Sequence, residues 1–446
     1  MKYVVFFAAL AGVPALAWLL AMDRRCIRWA FFGMVAGLCF DNQTSVNFLS
    51  NEMYKGSARG MEVSLVHLLA LAVLLALGLR GKWQRLLPEG GIRIYAVYFL
   101  MCLPSLYNAD SMLIGWLEVW KMLLLFLVWH AVYGYLAATG DVNTAVIALV
   151  LMAVGNFASV VWQHFRGIYP PSGVFPHQNT MAMAMNLMGP MFLAGYLQSG
   201  LRRRMGRLCG LALVGTAISG AWSYSRGAIA MMPLGYGLAV VGSWLGIRHE
   251  LDRRRFLVRL SPVLVVGAAG LCMMWPNLVE RFSTTSTTKG SKETRVALAY
   301  CAREMIHDHP WIGVGINNWS LNMSPEHPYQ DRAAAKLERE MNYDGIVETV
   351  YLLVGAECGI PALLAMLVWF GWHGVACLRV ARRLAGTVWY FVPIGLLGGF
   401  AANYMQSVLE WVLRQRMNMV LLVFLFALIA YFNKTTCKFP KHSRAS

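Results

Sequence analysis

Long apolar runs punctuated by short clusters of arginine and lysine constrain this chain more than any other feature. Val63–Leu79, Leu208–Trp222 and Val420–Phe432 are typical runs. Runs of this kind read as membrane spans, because a helix crosses the hydrocarbon layer in about 20 residues. The composition agrees: of 446 residues, 58% are apolar and only 14% are charged. A soluble domain carries about a quarter charged residues. A soluble enzyme, a disordered chain and a secreted disulfide scaffold are thereby excluded. The formal charge of +17 does not point to nucleic acid, because its distribution fits a membrane topology.

Basic residues in short loops stay on the cytoplasmic side. The clusters are Arg24–Arg28, Arg80–Arg93, Arg202–Arg207, Arg248–Arg259, Arg379–Arg383 and Lys434–Arg444. Even numbers of spans separate them if spans lie near 3–22, 27–40, 63–79, 94–107, 113–137, 143–163, 179–197, 208–223, 227–246, 260–276, 347–372, 387–405 and 412–432. The expected fold is therefore an all-α polytopic membrane protein of about 12–13 transmembrane helices, with the short segment 27–40 deciding the count. Ala15-Leu16-Ala17 has the small-x-small form of a signal-peptide cleavage site. The apolar run continues to Met22 and ends in Asp23-Arg24-Arg25, so it reads as an uncleaved first helix.

The expected organisation is ten spans in 1–276, an outside loop at 277–346, further spans in 347–432 and a cytoplasmic basic tail at 433–446. In the loop, Glu293–His307 and Asp331–Asn342 read as helices. A structured insertion on one face of a bundle usually carries function. The nine cysteines are scattered and form no Cys/His cluster, so they read as apolar filler. No glycine-rich nucleotide motif occurs. The 16 Trp and 18 Tyr fit interfacial belts and core packing.

Ionisable groups at membrane depth are the first functional candidates. Arg226 sits in a Ser-Arg-Gly turn joining two spans almost without a loop. Its alternatives are snorkelling to lipid headgroups or gripping an anion together with backbone N–H groups. Arg295 lies on the outer-loop helix, near Lys289 and Lys292. It reads as a surface charge or as part of an electropositive approach. Glu348 is expected to open the re-entering helix, with Tyr351 one turn on and on the same face. It is either a carboxylate at a helix N-terminus or a pocket residue. Glu357 falls about half a turn away and serves another surface. The outer turn carries Arg166, His177 and Asn179 within a Pro/Gly-shaped segment, either the wall of a sugar-binding cavity or a stiff connector. Glu118 and Lys121, three apart in one span, read as a mutual ion pair.

Taken together, these segments resemble the O-antigen ligase and polysaccharide polymerase superfamily of bacterial envelope glycosyltransferases. Ser223-Tyr224-Ser225-Arg226-Gly227-Ala228 is similar to its Ser-Arg-Gly turn. Thr294-Arg295 through His309-Pro310-Trp311-Ile312-Gly313-Val314-Gly315 is similar to its Arg-bearing helix followed by Pro-x-x-Gly-x-Gly. Glu348-Thr349-Val350-Tyr351-Leu352 with Glu357-Cys358-Gly359-Ile360-Pro361 resembles its His-Asn-x-Tyr-Leu and Glu-x-Gly-x-x-Gly. Gly173-Val174-Phe175-Pro176-His177-Gln178-Asn179 is similar to a further Gly-x-Phe-x-His-x-Asn element.

The resemblance implies an integral-membrane glycosyltransferase on the outer face of the inner membrane, acting as ligase or polymerase. Its donor would be an undecaprenyl-diphosphate-linked glycan and its acceptor a glycan, lipid or protein. It implies that Arg226 and Arg295 hold the diphosphate. The family's catalytic His position falls on Glu348 and its Asn on Thr349. Glu348 or His177 is then the expected base. Two guanidiniums can stabilise a departing diphosphate. No cofactor and no metal are called for, since no Asp-x-Asp lies in an outer loop. The rival readings are a transporter or flippase for lipid-linked sugars and a non-catalytic envelope scaffold. Membrane lipids are the other expected partners, and nucleic acid is not one.

Overall fold

The computed structural model describes residues 2–51, 53–82, 90–198, 203–247, 250–283, 285–338 and 345–435. The first helices are α1 Lys2–Met22, α2 Arg24–Ala36, the short α3 Asp41–Thr44, α4 Leu65–Leu79 and α5 Gly90–Cys102. The central group is α6 Met112–Thr139, α7 Val142–Phe165, α8 Gln178–Leu197, α9 Arg203–Trp222 and α10 Arg226–Leu245. Then come α11 Glu250–Ser283, α12 Thr285–Asp308, α13 Trp319–Asn322 and α14 Tyr329–Leu337. The last described helices are α15 Val350–Leu384, α16 Phe391–Gln406 and α17 Arg416–Thr435. A two-stranded antiparallel hairpin, β1 Val46–Phe48 and β2 Met61–Val63, joins α3 to α4 and was not anticipated from sequence.

The protein is an all-α polytopic membrane protein. Each expected span falls on a helix, and seven helices among the described residues are long and apolar enough to cross a membrane. These are α1, α5 with its 3-10 extension, α6, α7, α10, α15 and α17. At 13, 15 and 16 residues, α2, α4 and α16 are shorter than a full crossing needs.

Boundaries differ from expectation where the loop begins and ends. α11 runs on to Ser283 and α12 starts at Thr285, so the first part of 277–346 is helical. The second charged helix starts two residues early and stops at Leu337, where Glu338 takes a left-handed conformation with φ 51°. Its expected continuation through Asn342 lies outside the described residues, as do Arg85, Arg202, Arg248 and residues 436–446 of the tail.

Helix ends sort into two groups. Arg80 donates to the Ala21 carbonyl, Arg259 to the Tyr196 and Gln198 carbonyls, and Arg383 to the Asn433 carbonyl. Gln198 also donates to the Thr387 carbonyl. These contacts gather basic clusters at helix ends remote from the Ser-Arg-Gly turn.

Three helices that frame the site are locked by small residues. α16 lies between α8 and α10. A Cβ on Gly399 would sit 2.1 Å from the Leu187 carbonyl oxygen, and one on Gly398 would sit 2.4 Å from that of Gly235. Close backbone approach of this kind is how helices associate in lipid, where no hydrophobic drive separates them from the solvent. The α8 start, the α10 start and the α16 end are thereby held in fixed relation.

Candidate functional site

A cavity of about 560 Å³ opens at the end of the bundle where α8 and α17 begin and the chain approaches α15. Its walls include His177 and Asn179 from the α8 start, Glu348 from the approach to α15, and Glu410, Trp411, Gln415 and Arg416 from the α16–α17 link. The Gly56–Glu62 segment and Trp120 and Lys121 of α6 close the other side.

The Ser-Arg-Gly turn is shaped by its own hydroxyls. Ser223 donates to the Gly220 carbonyl at 2.6 Å and accepts from the Ser225 N–H at 3.1 Å. Tyr224 takes φ 52°, which reverses the chain. Ser225 caps α10 by accepting from the Ala228 N–H at 3.4 Å, and it donates to Glu410 Oε1 at 2.9 Å. A Cβ on Gly227 would lie 2.8 Å from the same oxygen, so glycine lets the carboxylate reach the turn. Arg226, the first residue of α10, is half-buried. It has no ion-pair partner among the described residues.

Arg295 projects from α12 to Glu348, with Nη2 to Oε2 at 2.6 Å. The side chains are 40% and 38% exposed, so solvent screens the pair. Arg295 Nε is buried without a hydrogen-bond partner. Glu348 does not open α15, as the sequence reading had it. It lies just ahead of the N-cap Thr349. The same-face argument linking it to Tyr351 therefore fails. The Tyr351 hydroxyl donates to the Tyr404 carbonyl at 2.7 Å, and the residue is absent from the cavity wall.

His177 caps α8, its Nδ1 accepting the Asn179 N–H at 3.2 Å. Burial pulls its pKa below the usual histidine value, with the Glu348 charge opposing. A neutral imidazole whose Nδ1 accepts carries its proton on Nε2. The outer turn before it is stapled by Gln163, which bonds Ser172 and both sides of Gly173, and by Asn156, which accepts the Val174 N–H. Arg166 caps α7 with its guanidinium 5.4 Å from the Trp162 ring and does not line the cavity.

Glu410 is the residue that sequence reasoning missed. It is only 4% exposed. Gln406 Nε2 donates to its Oε2 at 3.1 Å, opposite the Ser225 bond. Burial pushes its pKa up to about 7, against the bonds from Gln406 and Ser225; the Glu348 charge raises it further and the Arg295 charge lowers it. The signal was available: an acidic residue within Val408-Leu409-Glu410-Trp411-Val412-Leu413 is an ionisable group in an apolar stretch.

Beneath the cavity lies a buried charge network. Glu118 and Lys121 form the expected pair at 2.6 Å. Arg414 joins them, at 3.1 Å from Glu118, and its other nitrogen lies 2.6 Å from Glu357. Two carboxylates and two cations balance. Glu357 thus serves a surface distinct from Glu348. Its neighbour Gly359 kinks α15 with φ 82°, and a Cβ there would strike the Trp311 carbonyl at 2.4 Å. The Pro-x-x-Gly-x-Gly segment docks into that kink. Val314 N–H donates to the Ala356 carbonyl, Gly315 N–H to Glu357, and Ile360 N–H to Pro310. On the far wall Arg416 lies 2.7 Å from Asp41 and 3.0 Å from Glu62.

Residues 211–367 match the family model described as O-antigen ligase. The match spans Arg226, Arg295, Glu348 and Glu357 and bears out the superfamily resemblance read from the motifs. His177, Glu410 and Arg414 lie outside it. No curated protein matches the chain.

Proposed function

From an all-helical membrane protein carrying an O-antigen-ligase segment, we propose a glycosyltransferase that moves glycan from a polyprenyl diphosphate, undecaprenyl diphosphate in bacteria, to a glycan, lipid or protein acceptor. The reaction takes place on the outer face of the inner membrane. The observation that carries this reading is the bond from Ser225 of the Ser-Arg-Gly turn to Glu410, a carboxylate that shares the cavity wall with Glu348, the partner of Arg295. Neither arginine is on the cavity wall itself; Arg226 follows Ser225, which bonds the wall residue Glu410, and Arg295 pairs with the wall residue Glu348.

In this reading the donor diphosphate is held by Arg226 and Arg295, with Glu348 giving up its partner as the donor arrives. An acceptor hydroxyl attacks the anomeric carbon. The bond from that carbon to the diphosphate oxygen breaks, and the guanidiniums meet the charge on the leaving group. His177 Nε2–H and the Asn179 amide, both on the cavity wall, are the proposed donors to donor or acceptor oxygens.

The test is reconstitution with a lipid-diphosphate-linked glycan and an acceptor, scored for new glycosidic bonds. Arg226→Lys and Arg295→Lys are each expected to lose about 10²-fold in rate, since Lys keeps charge but not the planar fork. Donor binding without bond formation by the unmodified protein would favour a transporter or scaffold instead.

A further inference from the structure

We propose that Glu410 is the base of the transfer: its carboxylate takes the proton of the acceptor hydroxyl, held for that role by Ser225 and Gln406. This rests on the transferase reading above and adds the proton acceptor that reading lacks.

The assignment follows from the chemistry of the cavity wall. Four groups among the described residues there are candidate proton acceptors: Glu62, His177, Glu348 and Glu410. Glu62 is 3.0 Å from Arg416, and Glu348 is 2.6 Å from Arg295. Each of these two carboxylates already holds a guanidinium, which occupies the face an incoming hydroxyl would need. His177 has its Nδ1 occupied by the Asn179 N–H, so its free nitrogen donates. Glu410 alone of the three carboxylates has no cation in ion-pair contact among the described residues. Its two hydrogen bonds come from neutral donors, a hydroxyl at 2.9 Å and an amide at 3.1 Å. Those bonds fix both oxygens and leave further lone pairs for an incoming hydroxyl.

Position agrees with role. Glu410 abuts Gly227, next to Arg226, and feels the charges of Arg295 and Glu348. The base therefore lies against the turn that carries Arg226 and within electrostatic reach of Arg295. A shift to about 7 places it where a general base works best at neutral pH. The other charged groups on the wall are Arg59, Lys121 and Arg416. As the new carbon–oxygen bond forms and the carbon–diphosphate bond breaks, the hydroxyl proton passes to Glu410. Cavity water then carries it away.

The experiment uses the full-length protein in vesicles, with a lipid-diphosphate-linked glycan as donor, over a pH range spanning 7. The wild-type rate should rise with pH through about 7 and then level. Glu410→Gln preserves shape and should slow transfer about 10²–10⁴-fold. Its pH dependence through neutrality should vanish while donor binding stays unchanged. Glu410→Asp should keep that rise at a reduced rate. A Glu410→Gln protein with the wild-type rate and pH profile overturns the proposal. So does one that loses donor binding while keeping the profile, since Glu410 would then only support the turn. If the wild type forms no glycosidic bond at any pH, the transferase reading itself fails.

Discussion

Arg295 Nη2 lies 2.6 Å from Glu348 Oε2, so the arginine of the outer helix is engaged by the carboxylate just ahead of α15. This pair is half-exposed and contributes little to stability. Its consequence is competition: a diphosphate and Glu348 cannot both take the same face of the guanidinium.

Glu348→Gln should therefore fold normally and bind lipid-linked donor up to roughly fivefold more tightly, the scale of an exposed ion pair. Transfer should persist. Donor affinity and rate measured on one preparation decide it. Lost transfer with intact donor binding would make Glu348 the base.

Glu410 should also be visible in stability. Its folded pKa of about 7 lies above the ordinary value of 4.5. The sign is that of a raised group: its contribution is full below the unfolded value and is lost as pH rises to about 7. Thermal unfolding of wild type against Glu410→Gln should show the wild type losing on the order of 2–3 kcal/mol across that window. A pH-independent difference would mean that Glu410 does not titrate there.

The network under the cavity makes a sharper stability prediction. Arg414 is 4% exposed and bonded to both Glu118 and Glu357. Arg414→Ala leaves a carboxylate excess buried and should cost about 3–5 kcal/mol. Unfolding in detergent measures it. Arg414→Ala combined with Glu357→Gln should recover part of the loss, because the excess charge is removed.

The orientation can be tested by single-cysteine labelling in a background without the native cysteines. Basic clusters place Arg207 inside and Glu326 outside. An impermeant thiol reagent added to intact spheroplasts should label Glu326→Cys and spare Arg207→Cys. The reverse pattern would put the cavity on the cytoplasmic side.

Helix positions were legible in the sequence because apolar runs and the clusters between them are local, one-dimensional signals. The Ser-Arg-Gly turn and the Glu118–Lys121 pair, three residues apart, were legible for the same reason. α15 was placed but its start was not: Glu348 lies ahead of the helix, and Thr349, a residue type favoured at N-caps, takes the N-cap position. What the sequence by itself determined was a helical membrane bundle and, through the motif resemblance, Arg226 and Arg295 as a candidate pair. Only the tertiary structure decided what surrounds them. Ser225 and Glu410 are 185 residues apart in the chain, and Glu357 and Arg414 are 57 apart. No periodicity encodes such pairings. They arise because Gly398 and Gly399 let α16 close against α8 and α10, which carries the α16–α17 link, and Glu410 with it, to the Ser-Arg-Gly turn.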